Sequence, residues 1–214
     1  MSTVSLIMPS FERPQRTERA IHCIINQDME FEAYVIGDKC PVIEALINAG
    51  KAAEYIAEAK KKNIKLSIFN LPIHYGGYGN QARITGIRLA YGKYVMFMDN
   101  DDIIDNDHVS NYYNAIVDTQ NDLMYFDSWL EPIEGRGTKG MLRSAKMEQG
   151  MIGHAEIIVK KQVLLSLQPE TAEYGHDWGI IKQIIDKEFL CQKSKNKPTY
   201  RIMGVGELRE NNID

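Results

Sequence analysis

Four consecutive polar residues, Asp99, Asn100, Asp101 and Asp102, follow the apolar run Tyr94 to Met98. Three carboxylates this close repel one another unless a cation neutralises them. With oxygen ligands only, and no cysteine or paired histidine alongside, the set suits a hard divalent ion, Mn2+ or Mg2+. Such an ion leaves positions open for phosphate oxygens and stabilises charge that builds on a diphosphate leaving group. The same acids have a second reading at a helix N-terminus, where Asp102 or Asp105 would cap residues 106–118. A cap needs one carboxylate, however, not three in four positions.

The elements that must position this cluster are read from periodicity. Residues 4–8, 33–37, 64–69 and 94–98 are short apolar runs and are expected to be strands. Between them, residues 15–27, 42–62 and 79–91 carry apolar side chains at helical spacing. Strand–helix alternation of this kind predicts a mostly parallel, Rossmann-like α/β sheet flanked by helices. Ligands of such sheets bind beyond the carboxyl ends of the strands. The residues standing there are Pro9 to Arg13, Asp38 and Asp99 to Asp102. Gly76, Gly77 and Gly79 lead into the helix at 79–91, whose first N–H groups suit an anion. They also fit an ordinary loop. After about residue 120 the alternation lapses. Residues 105–118 and 177–187 read as helices, 122–130 and 155–160 as strands, and Gly135 to Gly140 as a basic loop. An α+β C-terminal half is expected.

At 214 residues the chain is expected to be one domain, residues 1–105 forming one half and 106–214 the other. Hydrophobic residues at 44% and charged residues at 25% exclude a disordered or fibrous chain. Cys23, Cys40 and Cys191 are too few and too far apart for a disulfide framework or a paired-cysteine zinc site. They suit a reducing compartment. No run approaches the roughly 18 to 20 apolar residues that cross a bilayer, and Ser2 and Thr3 lead straight into a strand rather than a signal peptide. The expectation is a cytoplasmic protein, in a bacterium or in a host cell if the source is viral. Residues 1–135 carry 12 basic and 19 acidic side chains, a balance of −7, whereas residues 136–201 stand at +5. That asymmetry hints at an anionic partner for the second half; random clustering on a solvated surface explains it equally well.

Taken in order, several pieces form one pattern: Val4 to Ser10, the acid after the second strand, Gly79-Asn80-Gln81-Ala82-Arg83 with Gly86, Ala90 and Gly92, and Phe97-Met98-Asp99-Asn100-Asp101-Asp102. It resembles the GT-A glycosyltransferases, and within them the large family 2 of inverting enzymes. The likeness covers roughly the first 105 residues. It implies a nucleotide-diphosphate sugar donor, a UDP-sugar first among the choices, held at the strand ends by Pro9, Ser10, Arg13, Asp38, Asn80, Arg83, Asp99 and Asn100. Asp101 would be the main metal ligand and Asp99 a second one. Family members often have two acids after strand two; here Gly37 precedes Asp38. The family's base opens a late helix, usually as Glu-Asp. The matching stretch is Glu173-Tyr174-Gly175-His176-Asp177-Trp178, which makes Asp177 the expected catalytic base and puts His176, an expected acceptor contact, where the first acid would be. An N-cap role for Asp177 is compatible with catalysis. Trp178 fits an acceptor floor or the core. His154, before the strand at 155–160, fits an acceptor contact, a metal ligand replacing the family's late histidine, or a structural role. Arg83 also has a plain reading as a helix-surface ion pair.

Two basic groups, Arg136, Lys139, Arg143 and Lys146, then Lys193, Lys195, Lys197 and Arg201, favour an anionic acceptor if they share the cleft. Candidates are a saccharide, a polyol-phosphate or lipid-linked sugar, or a hydroxymethylated DNA base; DNA enters by analogy of size and charge alone. Two alternatives stand beside transfer. A nucleotidyltransferase on sugar phosphates would show a glycine-rich loop and lysine after strand one, where this chain has Pro9-Ser10-Phe11-Glu12-Arg13-Pro14. A non-catalytic sugar or nucleic-acid binding module would have no need of Asp99, Asp101 and Asp177 together.

Overall fold

The computed structural model describes residues 3–132, 140–168 and 176–203. Arg136, Lys139, Glu173, Tyr174, Gly175 and the tail from Gly204 lie outside the described residues, as does the side chain of His176. The first half runs β1 (Val4–Ser10), α1 (Pro14–Ile25), β2 (Glu32–Gly37), α2 (Pro41–Asn48), α3 (Lys51–Lys61), β3 (Lys65–Asn70), α4 (Asn80–Leu89) and β4 (Tyr94–Phe97). The second runs β5 (Ile103–Ile104), α5 (His108–Ile116), β6 (Leu123–Tyr125), β7 (Ser128–Leu130), β8 (Met141–Arg143), β9 (Ile157–Lys160), α6 (Lys161–Leu165), α7 (His176–Asp186), β10 (Cys191–Lys193) and β11 (Tyr200–Ile202).

Seven strands form the main sheet in the order β10-β6-β9-β4-β1-β2-β3. β1 pairs in parallel with β2 and β4, and β2 with β3. The exception is β9, antiparallel to both β4 and β6. All seven residues of β1 are buried, as expected of a strand covered on both faces. Helix α1 starts with Pro14, whose fixed φ suits the first helical position. It buries Thr17, Ala20, Ile21, Ile24 and Ile25, one stripe at helical spacing. Two apolar clusters fill the space on either side of the sheet, one around Leu6, Met8 and Ile21, the other around Ile7, Val95 and Ile181.

The mostly parallel sheet matches the sequence expectation; two elements differ from it. The single helix expected over 42–62 is broken in two. Gly50 adopts φ +77°, which ends α2 and reorients the chain into α3. The strand expected over 122–130 is also split. Phe126 and Asp127 leave the main sheet, and β7 enters a second sheet, ordered β5-β11-β7-β8. Its strand β11 brings Tyr200 to the turn after β4, where the hydroxyl accepts from Asp99 N–H at 3.2 Å. Among the described residues no helix is long and apolar enough to cross a membrane.

Candidate functional site

The carboxyl ends of β1, β2 and β4 and the start of β9 open onto one cleft of about 1060 Å3. Its lining includes Pro9, Ser10, Arg13, Asp38, Arg83, Asp99, Asn100, Asp101, His154, Asp177 and Trp178. The sheet therefore gathers, at one mouth, nearly all of the donor, metal and base candidates of the sequence. Among the donor, metal and base candidates, Asn80 alone is absent from the lining: it begins α4 and is buried.

Within the cleft the polar groups hold one another. Asp101 forms an ion pair with Arg13, and Arg16 Nη1 lies 3.8 Å from the same oxygen. Arg19 donates to the Asp101 carbonyl at 2.7 Å. Asp99 pairs with Arg83, which is itself buried and donates to the Tyr78 carbonyl at 2.8 Å. Gly79 brings this loop close to β1. It sits at φ +80°, and a Cβ there would lie 2.6 Å from Pro9 Cβ. Asp38 is buried; its two oxygens accept from the Tyr75 and Gly76 N–H groups, each at 2.8 Å. His74 Nδ1 lies 3.0 Å from one of them, and Phe11 stacks on the His74 ring at 4.6 Å between centroids. Ser10 and Asn100 are buried, and their polar atoms turn to Thr17: Asn100 Nδ2 donates to Thr17 Oγ1 at 2.9 Å, and the Ser10 and Thr17 hydroxyls lie 3.2 Å apart.

The acids after β4 do not cap the next helix. Asp107 occupies the N-cap position of α5 without a side-chain cap bond. Asp105 binds Arg201 instead. Asp102 turns inward, where its carboxylate accepts from the Tyr200 hydroxyl at 2.6 Å and from Met203 N–H at 2.9 Å. Burial, then the Asp99 and Asp101 charges, push the Asp102 carboxyl above the usual carboxylate range. Burial likewise raises Asp101, against the pull of Arg13. This oxygen-only donor set, loaded with repulsion, fits a hard cation. Of the three cluster carboxylates, Asp99 and Asp101 are the more exposed where the turn lines the cleft. Among the described residues no three His, Cys, Asp or Glu side chains come together as a metal set, so other ligands would be needed to complete a shell.

On the far side of the cleft, Asp177 occupies the first turn of α7, with its side chain 38% exposed. Its Oδ1 lies 3.0 Å from Nδ1 of His154, which is buried. Trp178 lines the cleft while also packing against the apolar cluster.

The expected basic acceptor surface is largely spent on internal pairs. Arg143 binds the buried Glu156; Lys193 binds Asp127; Lys197 binds Asp107; Arg201 binds Asp105 and Glu131. Of the described members of the two groups, Arg143 lines the cleft. His74, Tyr78, Glu156 and Tyr200 also line it and lie outside the residues that the sequence points to. Phe11, within the Pro9 to Arg13 stretch directly after β1, lines it as well. Tyr200 comes from the small sheet and carries no local signal.

Residues 5–189 match the family profile described as Glycosyl transferase family 2. The chain belongs to glycosyl transferase family 2. It is similar to the poly(ribitol-phosphate) beta-N-acetylglucosaminyltransferase TarP of Staphylococcus aureus, 27% identical over 161 residues that cover 74% of this chain and 45% of that one. It is also similar to a poly(ribitol-phosphate) beta-glucosyltransferase of Bacillus spizizenii, 23% identical, with 70% of this chain and 22% of that one covered. Among solved structures, the fold matches S. aureus TarS 1-349 in complex with UDP at a TM-score of 0.71 and 17% identity, covering 94% of this chain and 60% of that one. A mannosyltransferase of Pyrobaculum calidifontis, in complex with GDP-Man and Mn2+, matches at 0.65 and 14%, covering 99% of this chain and 58% of that one. The family 2 chain thus has the GT-A fold its first half suggested, and it spans less than two thirds of each of these relatives.

Proposed function

We propose that this family 2 chain transfers a sugar, with inversion, from a nucleotide-diphosphate sugar to an acceptor hydroxyl. The observation that carries the reading is the shared cleft: Asp99, Asp101, Arg13 and Arg83 stand on the wall built by residues 1–105, and Asp177 faces them from residues 106–214. Arg13 and Arg83 bind the diphosphate by charge-assisted hydrogen bonds. Asp38 and Pro9 shape the nucleoside end. Asp177 accepts the acceptor's hydroxyl proton as the acceptor oxygen bonds to the anomeric carbon. The bond from that carbon to the diphosphate oxygen breaks, and its electron pair leaves with the nucleoside diphosphate. Mn2+ or Mg2+ held by Asp101 and Asp99 would neutralise charge on the departing diphosphate.

For the donor we favour a UDP-sugar, because TarS binds UDP. For the acceptor we favour a polyol phosphate, because two relatives carry poly(ribitol-phosphate) in their names. The internal pairing of the basic residues lowers the case for DNA. The test is a screen of nucleotide sugars with Mn2+, read by thermal shift and by hydrolysis of the donor. A ligand that binds only the folded state raises its melting temperature. One UDP-sugar is expected to shift the melting point and be turned over. Binding without turnover, with or without a polyol-phosphate acceptor, would leave a binding module.

A further inference from the structure

Gly153 and His154 begin the turn that leads into β9, and both stand beside the Asp177 carboxylate. His154 Nδ1 lies 3.0 Å from Oδ1. On the other oxygen, a Cβ at Gly153 would lie 3.3 Å from Oδ2, closer than side chains ordinarily pack. The turn itself is braced. Gly153 N–H donates to Glu156 Oε2 at 2.8 Å, and Glu156 N–H donates back to the Gly153 carbonyl at 3.2 Å. Glu156 is buried and is held in turn by the Ser128 hydroxyl at 2.6 Å and by Arg143. The His154 ring is fixed against Phe97 of β4, with centroids 5.2 Å apart. A half-exposed carboxylate in the first turn of a helix would otherwise sample several rotamers, and a base must be held within about 0.5 Å of its productive place.

We propose that Gly153 and His154 form a seat that fixes the Asp177 carboxylate, His154 engaging Oδ1 and Gly153 leaving the space that Oδ2 needs to take the acceptor proton. Both are positioning residues, since neither receives the proton. This inference rests on the reading of Asp177 as the base.

The experiment compares Gly153→Ala, His154→Leu, His154→Asn and Asp177→Asn, singly and with each seat variant combined with Asp177→Asn. Transfer kcat, donor Kd and melting temperature are measured for all. Gly153 has φ −124°, an extended backbone that alanine adopts readily, so Gly153→Ala is expected to fold. Gly153→Ala and His154→Leu are expected to lower kcat about 10-fold or more, with donor Kd near wild type, since small displacements of a reacting group are costly. His154→Asn keeps an N–H near the Nδ1 position and is expected to recover most of the His154→Leu loss. Asp177→Asn is expected to lose about 100-fold or more. Neither seat variant is expected to reduce its residual rate further, as befits groups acting through one another. Wild-type kcat in folded Gly153→Ala, or an equal further loss in the Asp177→Asn background, would overturn the seat while leaving the base in place. Should His154→Leu not fold, Gly153→Ala decides alone. A fully active Asp177→Asn would remove the base itself, and the seat with it.

Discussion

The guanidinium of Arg13, at the N-terminal edge of α1, is paired with the carboxylate of Asp101, 88 positions later in the chain. Arg16 and Arg19 follow on the same face of the helix and reach the same residue. The acidic turn after β4 therefore folds against cations supplied by the chain itself. A ligand entering the cleft meets ion pairs that it must share or replace.

Metal is expected to act on donor binding through Asp101. Calorimetric titration of a UDP-sugar should show Kd falling at least about 10-fold when Mn2+ is added, on the scale of a few charge-assisted contacts. Asp101→Ala should bind the donor with an affinity that no longer responds to Mn2+ or to chelator. A wild-type Kd indifferent to both would count against the two-carboxylate metal set.

Arg83 joins Asp99 to the loop carbonyl of Tyr78. Arg83→Ala should weaken donor binding by about 10- to 100-fold, the range for losing a charged hydrogen-bond donor of about 1.5–3 kcal/mol. Circular dichroism should show the fold retained. Unchanged donor affinity in the folded variant would assign Arg83 to loop structure alone.

Tyr200 is fully buried and serves two groups of the acidic turn. Its hydroxyl donates to Asp102 and accepts from Asp99 N–H at 3.2 Å. Tyr200→Phe leaves both without that partner and should destabilise the fold by about 1–3 kcal/mol in urea unfolding. A change within error of zero would mean that water replaces the hydroxyl.

Stability should fall on mild acidification because of His108. The ring is fully buried beside Tyr112 and Tyr200, and burial lowers its pKa from 6.5 to about 3. The unfolded histidine takes up a proton below about pH 6.5, whereas the folded one stays neutral to about pH 3. Its contribution is therefore complete above pH 6.5 and shrinks as pH drops through that window, by up to about 1.4 kcal/mol per pH unit. His108→Asn should flatten the pH dependence of unfolding free energy between pH 6 and about pH 4. An identical slope in the variant would assign the acid sensitivity to other groups.

Much of this architecture was legible because its signals are local. The apolar run of β1, the acids directly after β4 and the glycines before α4 each sit within a few residues of what they position. Helix breaking at Gly50 was missed because the apolar spacing continues across it while the backbone does not. The split at Phe126 and Asp127 was missed because the two short strands read as one run. Partnerships across the chain were not legible. Asp102 and Tyr200 are 98 positions apart, and Arg143 and Glu156 meet only once β8 and the turn before β9 are folded together. The basic groups counted as free charge in the sequence are largely absorbed by acids that only the fold brings near.

The reversed direction of β9 has a geometric corollary. Met96 of β4 lies opposite Ile158 of β9, so the rung joining these strands sets how far the turn at Gly153 stands from the turn at Asp99. A two-residue slip of that ladder would keep every inward side chain inward, yet carry one wall about 7 Å past the other. The gap between the two walls is thus a ruler cut in backbone hydrogen bonds, and changes in cleft side chains alone leave its length untouched.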